Sequence, residues 1–294
     1  MFTPFTSLTV DLQARVVAQM DFPSLMMLRA TARASYALVR NELDMSLDDI
    51  LTPYVSDPAR LRKALAESGA FIGGSVALRF FLRLPPRSDD ELDIFASSES
   101  FVDIFYNLLS FQHVKPVVDV TPPGLHVPGV TFFLDLDTKH GRRISLFRSS
   151  GHSLLPIARA VNSAYTAYVN PRHFGVVWPK LTFAMRAMPG VLSSRTSYVS
   201  TAARRNMGMD VKLWPWMWPD SGVPRQQCAR RQFLCPAQER TFTDGGALCG
   251  SFDPLTAKPI DVRIAFRLSL RECRGDCNGP QEHLRSRVSF VIEY

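Results

Sequence analysis

No stretch of this 294-residue sequence approaches the roughly 20 consecutive apolar residues needed to cross a bilayer, so a membrane-spanning helix is excluded. The opening run MFTPFTSLTVDLQARVV lacks a basic start and meets Asp11 and Arg15 before any long apolar run. A secretory signal peptide is therefore not expected. Cysteine is missing from the first 227 residues: Cys228, Cys235, Cys249, Cys273 and Cys277 all fall in the last quarter. Secreted disulfide scaffolds are usually short and stapled throughout, so an intracellular protein, cytoplasmic or nuclear, is the expectation. The C-x2-C knuckle that makes a zinc reading strong is also lacking. The cysteines are read as reduced structural thiols, with no metal; the alternative is a zinc ion on Cys228, Cys235 and Cys249, with His283 nearby.

What is present describes a folded chain. Residues are 46% hydrophobic, 21% charged and 11% aromatic, enough apolar material for two or three folded units. Basic residues exceed acidic ones by 34 to 27. Residues 1–57 carry 4 basic and 7 acidic groups, residues 58–200 carry 16 and 10, and residues 201–294 carry 14 and 10. The positive charge is thus diffuse. Its densest places are pairs such as Arg204-Arg205 and Arg230-Arg231, not the block that tracks a phosphate backbone, and nucleic acid is not an expected partner.

Near the N-terminus, Leu8, Leu12, Val16, Val17 and Met20 recur at helical spacing. Asp21 or Ser24 suits the cap of a second helix whose inward face is Leu25, Leu28 and Ala32. A third helix would present Tyr36, Val39 and Leu43. This order of residues resembles an F-box, with Leu8-Thr9-Val10-Asp11-Leu12 at the family's opening motif and Asp21-Phe22-Pro23-Ser24-Leu25 at its turn. Thr9 stands where the family usually has proline. The resemblance covers about 40 residues and implies docking of Leu8, Leu12, Val16, Met20, Leu25 and Leu28 on a Skp-type adaptor of cullin ubiquitin ligases. The competing reading of the same periodicity is a helical cap packed on the body.

An acidic stretch, 44–57, reads as a connection with a short helix or turn and places a boundary near 50–57. Beyond it, ARLRKALAESGAF suits a helix leading into Phe71-Ile72-Gly73-Gly74-Ser75, followed by an apolar segment from Val76 to Leu84. Residues 91–96 suit a strand and 100–111 a helix. Strands are expected near 114–120, 130–136 and 143–148, with a hairpin loop over 138–141. Further expectations are a helix at 153–161, a strand at 163–170, partial helix over 182–206, and strands at 262–270 and 288–294. The WPWMWP run at 214–219 reads as a buried aromatic anchor.

The segments FIGGS and ELDIF carry the chemical content. Glycines let backbone amides approach a phosphate closely, and carboxylates two apart on a strand, Glu91 and Asp93, point to one face where they can share a divalent metal. The arrangement resembles the nucleotidyltransferase superfamily, which implies nucleotide binding by Gly73, Gly74 and Ser75 and metal binding by the ELDI carboxylates. A third carboxylate belongs on a later strand, where this sequence has Ser145; Asp135 or Asp137 across the hairpin would have to substitute. Together with GRRISLF and VNSAYTAYVNPRHFGVVWPKLTF, the order resembles a group of fungal proteins that join an F-box-like head to a degenerate nucleotidyltransferase-like body.

The expected fold is α+β: a three-helix F-box-like module over 1–50, a mixed-sheet nucleotidyltransferase-like domain over 58–206, and a Trp- and Cys-containing, β-rich extension over 207–294. The expected function is a non-catalytic adaptor or substrate-recognition protein that links an unidentified protein substrate to a Skp-type adaptor. No cofactor is expected beyond weakly held magnesium. The alternative is a metal-dependent nucleotidyltransferase using Glu91, Asp93 and Asp135.

Overall fold

The computed structural model describes residues 5–117, 129–190, 207–223, 228–253, 260, 263–269, 272–273 and 290–293. Local side chains open the N-terminal helices. Thr9 accepts from the Leu12 amide (3.4 Å) at the start of α1 (Val10–Ala18), and Asp21 from the Ser24 amide (2.8 Å) at the start of α2 (Phe22–Arg29). Asp57 does the same for Arg60 (2.9 Å) at α4 (Pro58–Ser68), which carries proline in its first turn, the position that tolerates a missing amide hydrogen. Between them, α3 runs Arg33–Leu51.

Helix α3 carries the first half of the acidic stretch, where only a short helix or turn was expected, as far as Leu51. Leu43, Leu47, Ile50 and Leu51 bury one of its faces. Its acids are held by arginines of the following helices, Glu42 by Arg83, and Asp44 and Asp48 by Arg62. Paired carboxylates and a continuous apolar stripe make a helix out of what composition alone suggests is a linker.

The chain then alternates β1 (Phe71–Gly73), α5 (Gly74–Leu82), β2 (Leu92–Ala96), α6 (Phe101–Gln112), β3 (Lys115–Pro116), β4 (Val130–Asp137) and β5 (Arg143–Ser149). After these come α7 (Leu155–Ala158), β6 (Tyr168–Val169), β7 (His173–Val176), α8 (Pro179–Thr182), β8 (Arg186–Ala187), β9 (Asp210–Val211), β10 (Leu248–Ser251), β11 (Ile264–Arg267) and β12 (Phe290–Glu293). The described residues thus hold eight α-helices and a mixed sheet, an α+β architecture.

Several elements differ from expectation. The helix expected over 153–161 shortens to α7, and the strand expected over 163–170 begins as a 3-10 turn, Ser163–Thr166. The Asn162 side chain accepts from the Ala164 and Tyr165 amides, capping that turn before a strand can start. Strands β7 and β10 had no counterpart in the sequence reading. Residues 118–120 and 191–206, within the expected strand and partial helix, lie outside the described residues, as do Cys277 and His283.

The main sheet has the order β10-β7-β6-β1-β2-β5-β4-β3, with β2 and β5 parallel and the other neighbours antiparallel. Residues paired in register point to the same face. One face presents Ile72, Ile94, Leu146 and Leu136 to a core that also contains Val17, Phe22, Leu25, Val39, Leu61, Phe81, Ile104 and Phe252. The N-terminal helices are therefore part of the body's own core. Phe22 meets Phe80, Phe81 and Phe174 edge-on at 4.8–5.6 Å between ring centres.

The opposite face is divided along the strands. Phe71, Phe95 and Phe147 form its aromatic part, with Phe95 and Phe147 stacked at 4.8 Å. They pack under Trp178, Trp218, Phe242 and Phe266, so the tryptophan-rich run does supply a buried anchor through Trp218. One pleat further along each strand, the same face turns polar at Gly73, Asp93, Ser145 and Asp135.

Candidate functional site

Register aligns the polar residues in one row across four strands. Gly73 on β1 pairs with Asp93 on β2, Asp93 with Ser145 on β5, and Ser145 with Asp135 on β4. Strands lie about 4.8 Å apart, which puts roughly 10 Å between the backbones of Asp93 and Asp135, with Ser145 between them.

The strand-to-helix turn sits at one end of the row. Gly74 opens α5 with a φ of +63°, and a Cβ there would fall on the Asp93 carboxylate. Glycine is required twice over, by the left-handed backbone and by the close approach of the acid. Ser75 follows, buried in the first turn of α5. Glu91 lies just before β2 and two residues from Asp93. The loop leading to it is fixed by a buried ion pair that the sequence reading missed: Arg79 of α5 holds Asp90, and its guanidinium also donates to the Pro85 carbonyl (3.0 Å). Asp90 in turn accepts from the Arg87 amide (2.7 Å).

At the other end, Asp135 is engaged on both oxygens. The Ser145 hydroxyl donates to Oδ1 at 2.7 Å, and the Arg143 guanidinium lies 3.7 Å from Oδ2. Arg143 is also 3.7 Å from Asp137. Shared magnesium chemistry needs carboxylate oxygens converging on one ion at about 2.1 Å each. Among the described residues, Glu91, Asp93 and Asp135 do not form such a converging trio. As a set they do not fit a closed metal site.

The docking residues expected on the N-terminal helices separate. Leu12 and Val16 are exposed at 46% and 43%, one helical turn apart on α1, with Val10 and Met27 also exposed. Leu25 is fully buried, and Met20 and Leu28 are partly buried against the core. Leu8 is intermediate. The six residues therefore do not make one surface, because the body's phenylalanines take the inner face of α2.

The cysteines regroup as well. Cys228, Cys235 and Cys273 bring their sulfurs within 4.8 Å of one another. Cys249, expected with Cys228 and Cys235, is instead exposed on β10, opposite Gly175, and is no member of the group. Cys273 forms a C-x3-C pair with Cys277 in the sequence, a spacing that sequence alone cannot connect to a loop so far upstream. Burial, with Cys273 beside it, pushes the Cys235 thiol up from its ordinary value.

Searches of protein families, curated proteins and solved structures find no match to this chain.

Proposed function

We propose that this protein is a non-catalytic adaptor or substrate-recognition protein, an F-box-like head joined to a nucleotidyltransferase-like body whose catalytic pattern is incomplete. The observation that carries the reading is the state of Asp135. Its two oxygens face a donated hydroxyl hydrogen from Ser145 and the Arg143 guanidinium, so the candidate third ligand is already compensated by protein groups. A metal-assisted transfer to or from a phosphate needs that negative charge on the metals, and the residue between the two acids contributes none. The glycine turn against Asp93 and the row of paired positions support a nucleotidyltransferase-like scaffold. Two carboxylates, Glu91 and Asp93, are compatible with weak magnesium binding, since this ion keeps several waters.

In this reading the head links a protein bound by the body to a cullin-type ubiquitin ligase through a Skp-type adaptor. Leu12 and Val16 are the docking residues that the core leaves exposed. Purified Skp-type adaptor is expected to bind the full chain and to lose binding to the Leu12→Glu/Val16→Glu variant; no binding to the wild type overturns the adaptor half. For the body, each labelled nucleoside triphosphate is incubated with magnesium or manganese and candidate acceptors, and no transfer is expected. Transfer by the wild type that Asp93→Asn loses would establish the alternative, a metal-dependent nucleotidyltransferase using Glu91, Asp93 and Asp135.

A further inference from the structure

Two loop segments bring three cysteines together beneath the aromatic face of the sheet. Cys228 stands at the entrance of the 3-10 turn Ala229–Gln232. The chain then reverses at Phe233, whose φ is +57°, and the Leu234 amide donates to the Ala229 carbonyl (3.2 Å). That reversal returns Cys235 to the side of Cys228. The third thiol arrives from a distant segment held by main-chain bonds: the Ser269 amide to the Pro236 carbonyl (2.9 Å), and the Cys273 amide to the Ala237 carbonyl (2.8 Å). The Cys228 and Cys273 sulfurs are 3.3 Å apart, all three lie within 4.8 Å of one another, and Cys235 and Cys273 are 4% and 5% exposed.

Tetrahedral zinc at about 2.3 Å from each sulfur sets its ligand sulfurs about 3.8 Å apart. One observed spacing, 3.3 Å, is slightly below that value, and the 4.8 Å limit on all three leaves room for it. A disulfide would use only two of the three thiols, and its sulfurs sit about 2.05 Å apart. The surrounding architecture also lacks other means of holding itself together. From residue 207 to 273 the described chain has short strands and 3-10 turns and no α-helix, yet it must cover Phe71, Phe95 and Phe147. Regions poor in regular structure are where a metal cross-link contributes most to folding.

We infer that Cys228, Cys235 and Cys273 form a structural zinc site that ties the C-terminal loops to one another. On binding, each thiol releases its proton to solvent and forms one zinc–sulfur bond, with no change of oxidation state. The three thiolates occupy three of the four tetrahedral positions. Three thiolates on a dication leave one net negative charge, and Arg230, whose guanidinium donates to the Cys273 carbonyl (3.5 Å), supplies a nearby positive group. An all-sulfur donor set selects zinc over magnesium or calcium. The site stands apart from the adaptor reading, which its success or failure leaves untouched.

The test is metal analysis of the untagged full chain, purified under reducing conditions from zinc-supplemented culture. About one equivalent of zinc is expected. Cys228→Ser and Cys273→Ser are each expected to bring it well below half, while Cys249→Ser keeps it. Should the serine variants fail to fold, the wild type answers alone. Exchange of its metal for cobalt(II) should give thiolate-to-metal charge-transfer absorption and the intense visible bands of a tetrahedral ion. Wild-type protein that takes up neither zinc nor cobalt overturns the inference, as does zinc retained when both Cys228 and Cys273 are serine. So does a metal-free chain in which Cys228 and Cys273 are joined as a disulfide.

Discussion

Arg240 is fully buried, and its guanidinium makes four hydrogen bonds. It holds both oxygens of Asp244 (2.7 and 3.0 Å), donates to the Val177 and Phe233 carbonyls (2.6 and 2.9 Å), and lies over the Trp178 ring. Burial alone works to raise the Asp244 carboxyl. The paired guanidinium and the Thr241 and Gly246 amides outweigh it and hold the pKa below the usual carboxylate value. A depressed folded-state pKa contributes stability that is fully present above the unfolded value, about 3.9, and is lost as pH falls through the folded value. Asp244→Asn leaves the buried cation without its counter-charge and is expected to cost about 3 kcal/mol at neutral pH. Denaturant unfolding across pH checks this: the gap between wild type and variant should shrink below the ordinary carboxylate range, where the wild type protonates as well. A gap that stays constant with pH would show that the pair contributes no charge-dependent stability.

Among the elements, α1 and α2 carry superficially similar leucines with opposite fates. Leu25→Ala removes a side chain that is fully buried in the main core and is expected to cost about 2–5 kcal/mol. Leu12→Ala and Val16→Ala, on an exposed face of α1, should stay within about 0.5 kcal/mol, as thermal unfolding would report. The sequence showed the helices themselves well, because Thr9, Asp21 and Asp57 are local caps and the apolar spacing is regular. It could not show which face the body covers: Phe22 is enclosed by Phe174 and by Phe80 and Phe81 of α5, which lie far along the chain. The alignment of Asp93 with the glycine turn was legible as a motif. The pairing of Ser145 with Asp135 needed strand register, which no local pattern reveals. Strands as short as β6, and β10 with its glycine, carry too few residues for alternation to be read. The cysteine grouping was only half legible, since Cys235 and Cys273 meet through backbone bonds between loops.

At the scale of the whole molecule, one hydrophobic core extends from Val17 to Phe252, so the boundary near 50–57 separates segments of sequence without separating cores. No helix among the described residues is long and apolar enough to cross a membrane. Removal of residues 1–51 would uncover Phe80, Phe81 and Phe174, and the remainder is expected to be insoluble or unfolded. Limited proteolysis of the intact protein should release no stable helical head; a head fragment that persists and stays helical would show independent modules. The closing contacts of that core span the chain's length. The Arg29 guanidinium donates to the Ser251 and Phe252 carbonyls, and the Tyr36 hydroxyl donates to Phe252 (2.7 Å). During synthesis at about 5–20 residues per second, α2 therefore leaves the ribosome roughly 10–45 seconds before its last partners exist. In the early part of that interval Phe22 still waits for Phe80 and Phe81, and later for Phe174, which makes the nascent N-terminal helices a natural client for chaperones that hold exposed apolar segments.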